Sequence, residues 1–422
     1  MKKANEREIA VYALMDITVD GGYNNIVLRK TLGRNDALSQ TQKAFITELV
    51  NGALRNLLFI DEIINQFASV KTKKMKPLIL NILRISVYQI KWMDKTPDFA
   101  VLNEAVNIAR TKGFANLTGF VNGVLRNMLR NLDQIVLPDR AKTPVRHLSV
   151  RYSYPVGLTE KLIDYFGGDV DRTEQMMIAN NRPPKLTVCV NPLKTTAEAL
   201  AARLAEEGAA VAPGQLSPYA LHLSGTANMA KLPAFQEGLF HVIDESAMLS
   251  VQLLNPKKGQ TMLDLCSAPG GKAFFAGYLM RNEGEIIAAD IHEHKIALIE
   301  ASAARLGLDI IKTALSDATV FHEEFEEKAD VLLIDAPCSG LGLVRKKPDI
   351  KYTKTVEDIS ALARLQRELL AASWRYVKKG GTLVYSTCTL TKEENEDNMN
   401  WFMANFPFLP APGEGETPVK AG

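Results

Sequence analysis

Only four cysteines occur in the 422 residues, Cys189, Cys266, Cys338 and Cys388, and no two of them form a C-x-x-C pair. That scarcity and spacing argue against a structural zinc site and against a disulfide framework, so reduced thiols are expected. His292 and His294 form a His-x-His pair without a third candidate ligand, so they read as a helix start and no metal is expected. No apolar run approaches the roughly 20 residues of a membrane span. The start of the chain, residues 1–7, turns polar after Lys2 and Lys3, which is unlike a secretory leader; a cytoplasmic address is expected. Nothing in the pattern points to an obligate protein partner.

Two familiar ligand loops are also missing. A phosphate-binding P-loop needs a Gly five residues before its Gly-Lys and a Ser or Thr after it, but around Gly271-Lys272 those places hold Cys266 and Ala273. The dinucleotide fingerprint fails because Gly270 and Gly271 are adjacent rather than spaced as G-x-G-x-x-G.

What is present is a strand, a tight loop and a helix. An apolar run at 261–265 leads through Cys266-Ser267-Ala268-Pro269-Gly270-Gly271-Lys272 into an apolar helical segment at 273–280. At the carboxyl end of a strand in an open α/β sheet, such glycines let backbone approach a ligand. Asp290 closes the next apolar run roughly 20 residues on, where an acidic side chain can take ribose hydroxyls. A nucleoside without a pyrophosphate fits these features, and S-adenosylmethionine is such a nucleoside.

The chain is long enough for two or three domains. Residues 1–135 read as amphipathic helices throughout, with Ile9, Ala10, Ala13, Leu14 and Ile17 on one face and Ile79, Ile82, Leu83 and Val87 on another. A polar stretch at 132–147 carries Pro138 and Pro144. Residues 148–245 mix helices (158–166, 172–180, 197–207) with short strands (186–190, 219–223, 239–242), the pattern of a small α+β insert. From 246 to 422 strands at 261–265, 285–290, 310–314, 331–335 and 382–386 alternate with helices, which predicts a doubly wound parallel sheet. The last crossing helix spans 356–377, with Gly380-Gly381 expected to end it.

Charge divides unevenly: residues 1–150 carry 22 Lys plus Arg against 13 Asp plus Glu, and the remainder 28 against 35. A basic front suits a polyanion such as RNA. Within the parallel-sheet region, Arg345, Lys346, Lys347 and Lys351 form a second basic cluster, a candidate for RNA phosphates or a solvated loop.

Two thiols follow strands predicted to end on the same edge: Cys338 in Asp335-Ala336-Pro337-Cys338-Ser339-Gly340 and Cys388 in Ser386-Thr387-Cys388-Thr389. A thiolate matters where the atom to be methylated is a poor nucleophile. C5 of cytosine or uracil is such an atom, and addition of a thiolate to C6 places electron density on C5. A base must then remove the C5 proton.

These three motifs, in this order and on these elements, resemble those of RNA (cytosine-5)-methyltransferases, and the helical front, through Phe-Val-Asn-Gly-Val-Leu-Arg-Asn-Met-Leu at 120–129, resembles NusB-like RNA-binding domains. The whole is similar to the bacterial Sun/Fmu type. The resemblance implies an α/β fold: a class I (Rossmann-like) methyltransferase domain preceded by an all-α NusB-like bundle and the α+β insert, whose Asn191-Pro192-Leu193-Lys194 matches the family's Asn-x-Leu-Lys. It implies small-subunit ribosomal RNA as substrate, Cys388 as nucleophile and Cys338 in product release, although DNA cytosine methyltransferases use the Pro-Cys thiol and keep Cys338 a rival. It implies Asp335 on the base edge and near the cofactor, the loop 266–272 around the methionine part, Asp290 on the ribose and Asp317 near the adenine. A tRNA cytosine methyltransferase and a non-catalytic RNA-binding or antitermination factor are the alternatives. The resemblance also implies a terminal strand hairpin, where residues 392–405 read instead as a helix and 406–422 as a Pro/Gly-rich tail.

Overall fold

The computed structural model describes residues 5–35, 37–225 and 229–410. The chain forms two compact units, Met1–Pro183 with Gly340–Val356, and Pro184–Ser339 with Glu357–Gly422. No helix among the described residues is long and apolar enough to cross a membrane.

The first unit is helical: α1 (Glu6–Thr18), α2 (Asn24–Gly33), α3 (Gln40–Arg55), α4 (Leu57–Phe67), α5 (Pro77–Trp92), α6 (Asp98–Thr111), α7 (Thr118–Arg130), α8 (Pro144–Tyr152), α9 (Val156–Tyr165) and α10 (Val170–Asn180). Local signals start several of them. Asn5 accepts the Glu8 amide at the head of α1, Ser39 and Gln42 form a reciprocal capping box on α3, and Pro77 occupies the first turn of α5, where no amide hydrogen is needed. The apolar faces expected on α1 and α5 are buried in one core with those of α3, α4, α6 and α7. Gly52 of α3 has no Cβ for a reason: one placed there would meet the Tyr88 ring of α5 at 1.9 Å.

By compactness helices α8, α9 and α10 are grouped with this unit, with α8 packed on α4 and the Ser153 hydroxyl accepting the Phe59 amide at 3.1 Å. It also takes in Gly340–Val356, expected as part of the parallel-sheet domain. Lys351 explains why that segment stays. Its side chain is 0% exposed, and Nζ donates to the Arg55 and Tyr152 carbonyls at 2.8 and 3.0 Å and to Asn181 Oδ1 at 3.1 Å. Arg55 and Tyr152 end α3 and α8, so the ammonium satisfies carbonyls left over at two helix C-termini, where a cation is favoured. The expectation that Lys351 holds RNA phosphate is therefore corrected: its three donors point into protein.

The second unit joins two sheets. An antiparallel sheet of order β2-β3-β1-β4 comprises β1 (Leu186–Val190), β2 (Ala210–Pro213), β3 (Ala220–Ser224) and β4 (Phe240–Val242), with α11 (Ala197–Glu206) and the short α12 (Pro233–Gln236) beside it. Strand β2 has no sequence signal; it is a short edge strand that tolerates Pro213. Asn191 and Lys194 bind backbone carbonyls: the buried Asn191 reaches Gly238 and Leu306 through Nδ2, and the exposed Lys194 reaches Glu237 and Arg305 through Nζ. Cys189 is 0% exposed and packed with Phe275 and Tyr278.

After α13 (Glu245–Leu254) the parallel sheet is built from β5 (Thr261–Asp264), α14 (Gly271–Leu279), β6 (Glu285–Asp290), α15 (Glu293–Leu306), β7 (Ile311–Leu315) and β8 (Ala329–Asp335). A short α16 (Ile350–Thr353), in the segment held by the helical unit, precedes α17 (Val356–Ser373), β9 (Val377–Ser386) and α18 (Glu396–Asn405). All pairings are parallel and the order is β7-β6-β5-β8-β9. The strand order reverses between β5 and β8, and the crevice beyond their carboxyl ends is where such sheets hold ligands. Gly380-Gly381 does not end the helix as expected: α17 stops at Ser373, and the glycines lie inside β9 at an irregular register, Gly380 with φ +81°. Helix α18 takes most of the segment read as helical at 392–405, and residues 411–422 of the tail lie outside the described residues.

Candidate active site

The loop after β5 closes one side of a cavity of about 390 Å³ beyond the strand ends, lined among others by Cys266, Ala268, Asp290, Asp317 and Asp335. Gly270, φ +97°, opens α14; a Cβ there would meet the Phe274 ring at 2.4 Å, so only glycine fits this turn. Asp290 ends β6 with its carboxylate nearly buried, taking the His292 amide on Oδ1 at 3.0 Å and the Ala268 amide on Oδ2 at 3.3 Å. The strand after it thus fixes the glycine loop. Asp317 accepts the Thr319 hydroxyl at 2.7 Å and amide at 2.9 Å, which together hold its pKa below the ordinary carboxylate value. Of the loop residues expected around a cofactor, Ser267, Pro269, Gly270, Gly271 and Lys272 do not line the cavity. Lys272 instead pairs with Asp335 Oδ1, which also accepts the Ser386 hydroxyl at 2.8 Å. Cys266 is no nucleophile: burial, then the charges of Asp264, Asp290 and Asp335, push its thiol up to about 12.

Asp264, the last residue of β5, is the group the sequence reading passed over. It is 1% exposed, with the Ser267 hydroxyl and the Cys266 amide beside its carboxylate but neither aligned as a full hydrogen bond, and the buried Ser316 hydroxyl is without a partner. Burial, then the neighbouring Asp335 charge, push Asp264 up to about 7, while Ser267 and Lys272 oppose the shift and lose. A carboxyl raised this way is protonated in the folded chain but ionised in the unfolded chain between its ordinary value of 3.8 and about 7. Stability therefore falls as pH rises through that window and is level above it. In the cofactor-free protein, Asp264→Asn is expected to gain on wild type across pH 4 to 7, by at most about 4 kcal/mol at about 1.4 kcal/mol per pKa unit. Chemical denaturation of both proteins at several pH values measures this; parallel profiles would show that Asp264 is not the titrating group.

At the ends of β8 and β9 the two thiols meet. Cys338 Sγ and Cys388 Sγ are 3.1 Å apart, and the Cys388 amide donates to Cys338 Sγ at 3.3 Å. Cys388 is the exposed one and Cys338 half-buried. The Cys388 amide is thus aimed at Cys338 Sγ, and the two sulfurs lie within proton-transfer distance of each other. Their loops are held from beneath by Glu394, 0% exposed. Its Oε1 accepts the Ser339 amide at 2.8 Å and Gln366 Nε2 at 3.1 Å, and its Oε2 accepts the Ser339 and Thr391 hydroxyls, each at 2.6 Å. Ser339 Oγ also lies 2.6 Å from Thr389 Oγ1, so one carboxylate ties the Pro-Cys loop to the Thr-Cys loop.

Comparison with known proteins shows the family. Residues 251–407 match the family of 16S rRNA methyltransferase RsmB/F, residues 4–130 the NusB family, and residues 154–230 the ferredoxin-like domain of RsmF/B-like methyltransferases. The probable ribosomal RNA small subunit methyltransferase B of Bacillus subtilis is 40% identical over 409 residues, covering 96% of this chain and 90% of the relative. The chain belongs to the RsmB/F family of 16S rRNA methyltransferases. The Proteus mirabilis ribosomal RNA small subunit methyltransferase B is 32% identical, covering 95% of this chain and 92% of its own. Among solved structures, PH0851 matches with TM-score 0.78 at 27% identity over 100% of this chain and 94% of that one. A methyltransferase homolog from Pyrococcus horikoshii matches with TM-score 0.55 at 28% identity over 66% of this chain and 87% of that one. As a member of RsmB/F, the chain is an enzyme acting on RNA, and its helical front is NusB-like. Arg345, Lys346 and Lys347, the rest of the basic cluster expected at the RsmB/F catalytic edge, lie in the segment held by the helical unit. Lys346 and Lys347 are exposed there, whereas Arg345 is half-buried and donates Nη2 to the Pro183 carbonyl at 3.0 Å.

Proposed function

We propose that the chain methylates C5 of a cytosine in 16S rRNA, in the cytoplasm, with S-adenosylmethionine as donor and a transient bond between Cys388 and C6 of the base. The observation that carries this reading is the pair of thiols 3.1 Å apart at the strand ends. Transfer to oxygen or nitrogen has no use for two sulfurs, whereas C5 needs a nucleophile to activate it and a proton acceptor to finish.

The donors around the cavity fit S-adenosylmethionine. Asp290, Asp317 and Asp335 bring carboxylates to the cavity lining, and Ser316 a buried hydroxyl without a partner. Asp290 is assigned to the ribose and Asp317 to the adenine side, with Cys266 and Ala268, the two loop residues in the lining, at the methionine end. When bound, this cofactor supplies an electrophilic methyl group. The chain does the rest. Cys388 gives its proton to Cys338 and its sulfur adds to C6, moving the C5–C6 electron pair onto C5, which then takes the methyl. Cys338 passes that first proton on to solvent and, again a thiolate, removes the C5 proton; that electron pair restores the C5–C6 double bond and the C6–S bond breaks, returning the Cys388 thiolate. Asp335, with Oδ1 engaged by Lys272 and Ser386, offers Oδ2 to the amine of the cytosine. Lys346 and Lys347 are assigned to phosphates of the same RNA.

The test is to incubate the protein with S-adenosylmethionine and 16S rRNA carrying 5-fluorocytosine. Fluorine at C5 blocks elimination, so a denaturant-stable protein–RNA adduct is expected. Its absence, with methyl transfer to ordinary rRNA intact, would overturn the covalent route. Adduct on tRNA transcripts but not on 16S rRNA would move the substrate.

A further inference from the structure

The helical unit contains a second large cavity, about 550 Å³, that the methyl-transfer chemistry does not use. Four cations line it, Arg55 from α3, Lys91 from α5, Arg151 from α8 and Arg182 beyond α10, against one carboxylate, Glu48, to which the Tyr88 hydroxyl is bonded. Its wall is aromatic. Tyr88 and Trp92 stack at 5.6 Å and 20°, and Phe59 stands edge-on to Trp92 at 5.8 Å. Lys91 lies over the Phe59 and Trp92 rings, and Arg151 over Phe59.

Four cations share this one carboxylate, and Glu48 acts on Arg55. Arg55 is 6% exposed, yet its Nε has no hydrogen-bond partner, and the same holds for the buried Nε of Arg345. Burial lowers the Arg55 pKa against the opposing charges of Glu48 and Tyr88, with a smaller push from Arg345; burial, with repulsion from Arg151, lowers that of Lys91. A buried guanidinium with an unused donor is costly to fold, and an anion in the cavity would offset that cost. Cations alone would suit any polyanion. Combined with stacked rings in a cavity within the range of about 300–1,000 Å³ that encloses a small ligand, they suit an unpaired nucleotide.

We propose that this cavity is a second RNA site, in which the phosphate of one unpaired nucleotide sits among Arg55, Lys91 and Arg151 and its base stacks on Trp92. The proposal rests on RNA as the enzyme's substrate and adds a hold on that RNA made by the helical unit. Duplex RNA keeps its bases stacked on each other and gains only the charge contacts. The exposed Arg151 and Arg182 are the cations that can be changed without emptying the core.

The experiment uses the full chain and three probes: a fluorescein-labelled single-stranded 12-nucleotide RNA, the same sequence as duplex, and AMP. Tighter binding of the single strand is expected, with quenching of tryptophan fluorescence that Trp92→Phe diminishes. Arg151→Gln/Arg182→Gln, with an unchanged melting temperature, is expected to weaken single-strand binding about 10-fold or more and flatten its salt dependence, each lost phosphate contact removing about 0.7 from the log–log slope. In methyl transfer to 16S rRNA the same variant is expected to raise KM and leave kcat unchanged. Unchanged binding and KM would overturn this site while leaving rRNA methylation standing. Equal affinity for duplex would overturn base stacking, and AMP binding tighter than the oligonucleotide would make the cavity a free-nucleotide site instead.

Discussion

Cys388→Ala is expected to lower methyl transfer to 16S rRNA by about 10⁴-fold or more, the scale on which loss of a covalent nucleophile is felt. Cys338→Ala is expected to do something different: allow the adduct to form and then hold it. The geometry separates the two roles. Cys388 is the exposed sulfur, the one a base could approach, whereas Cys338 is half-buried and takes the Cys388 amide on its Sγ at 3.3 Å. Without Cys338 the addition step loses a nearby proton acceptor but keeps its nucleophile. Elimination loses the group that assists it, and general acid–base assistance is worth about 10²–10⁴-fold. With ordinary rRNA and S-adenosylmethionine, denaturing gels are thus expected to show a protein–RNA adduct in Cys338→Ala, far more than in wild type, and none in Cys388→Ala. The reverse pattern would exchange the two sulfurs. Loss of adduct in both variants, with RNA binding intact, would mean that the pair acts only as a unit.

What the sequence reveals here is what is local. Strand and helix periods are set by neighbours in the chain, so the parallel sheet, the helical front and the loops after β5, β8 and β9 can be read from pattern, and with them the meeting of Cys338 and Cys388. Pairings between distant residues cannot. Lys351 looks like one more solvated cation beside Lys346 and Lys347 until its Nζ is found on the Arg55 carbonyl, 296 residues away along the chain. Gly380-Gly381 carries the signature of a helix end; that it serves a bulge in β9 depends on the partner strand, since a Cβ on Gly381 would meet the Asp330 carbonyl at 2.9 Å. Asp264 sits inside a motif that names its neighbours, and only burial beside Asp335 shows that its carboxyl is pushed up to about 7. The Tyr88–Trp92 wall has the spacing of an ordinary helical core stripe, and its cations arrive from four separate segments.

Glu394→Ala is expected to cost about 3–5 kcal/mol of stability, the range for removing one partner from a buried charged network. The carboxylate is 0% exposed and accepts four hydrogen bonds, so its loss leaves the Ser339 amide, two hydroxyls and the Gln366 amide group facing an apolar void with nothing to receive them. For a unit of this size about 2–4 °C in melting temperature accompanies each kcal/mol, so a drop of about 10 °C is expected. The effect on chemistry should exceed what unfolding explains. Ser339 follows Cys338 directly and Thr389 follows Cys388, and through the Ser339–Thr389 hydrogen bond the carboxylate sets the distance between the two sulfurs. A displacement of about 1 Å in a reacting group can cost about 10²-fold in rate. Assayed well below its melting temperature, Glu394→Ala is therefore expected to lose about 10²-fold in kcat with little change in KM for rRNA. Glu394→Asp, which keeps the charge but shortens the reach, should fall between the variant and wild type. If the alanine variant melts lower but turns over at the wild-type rate, Glu394 serves the fold alone, and the spacing of the two thiols is held by the ends of β8 and β9 themselves.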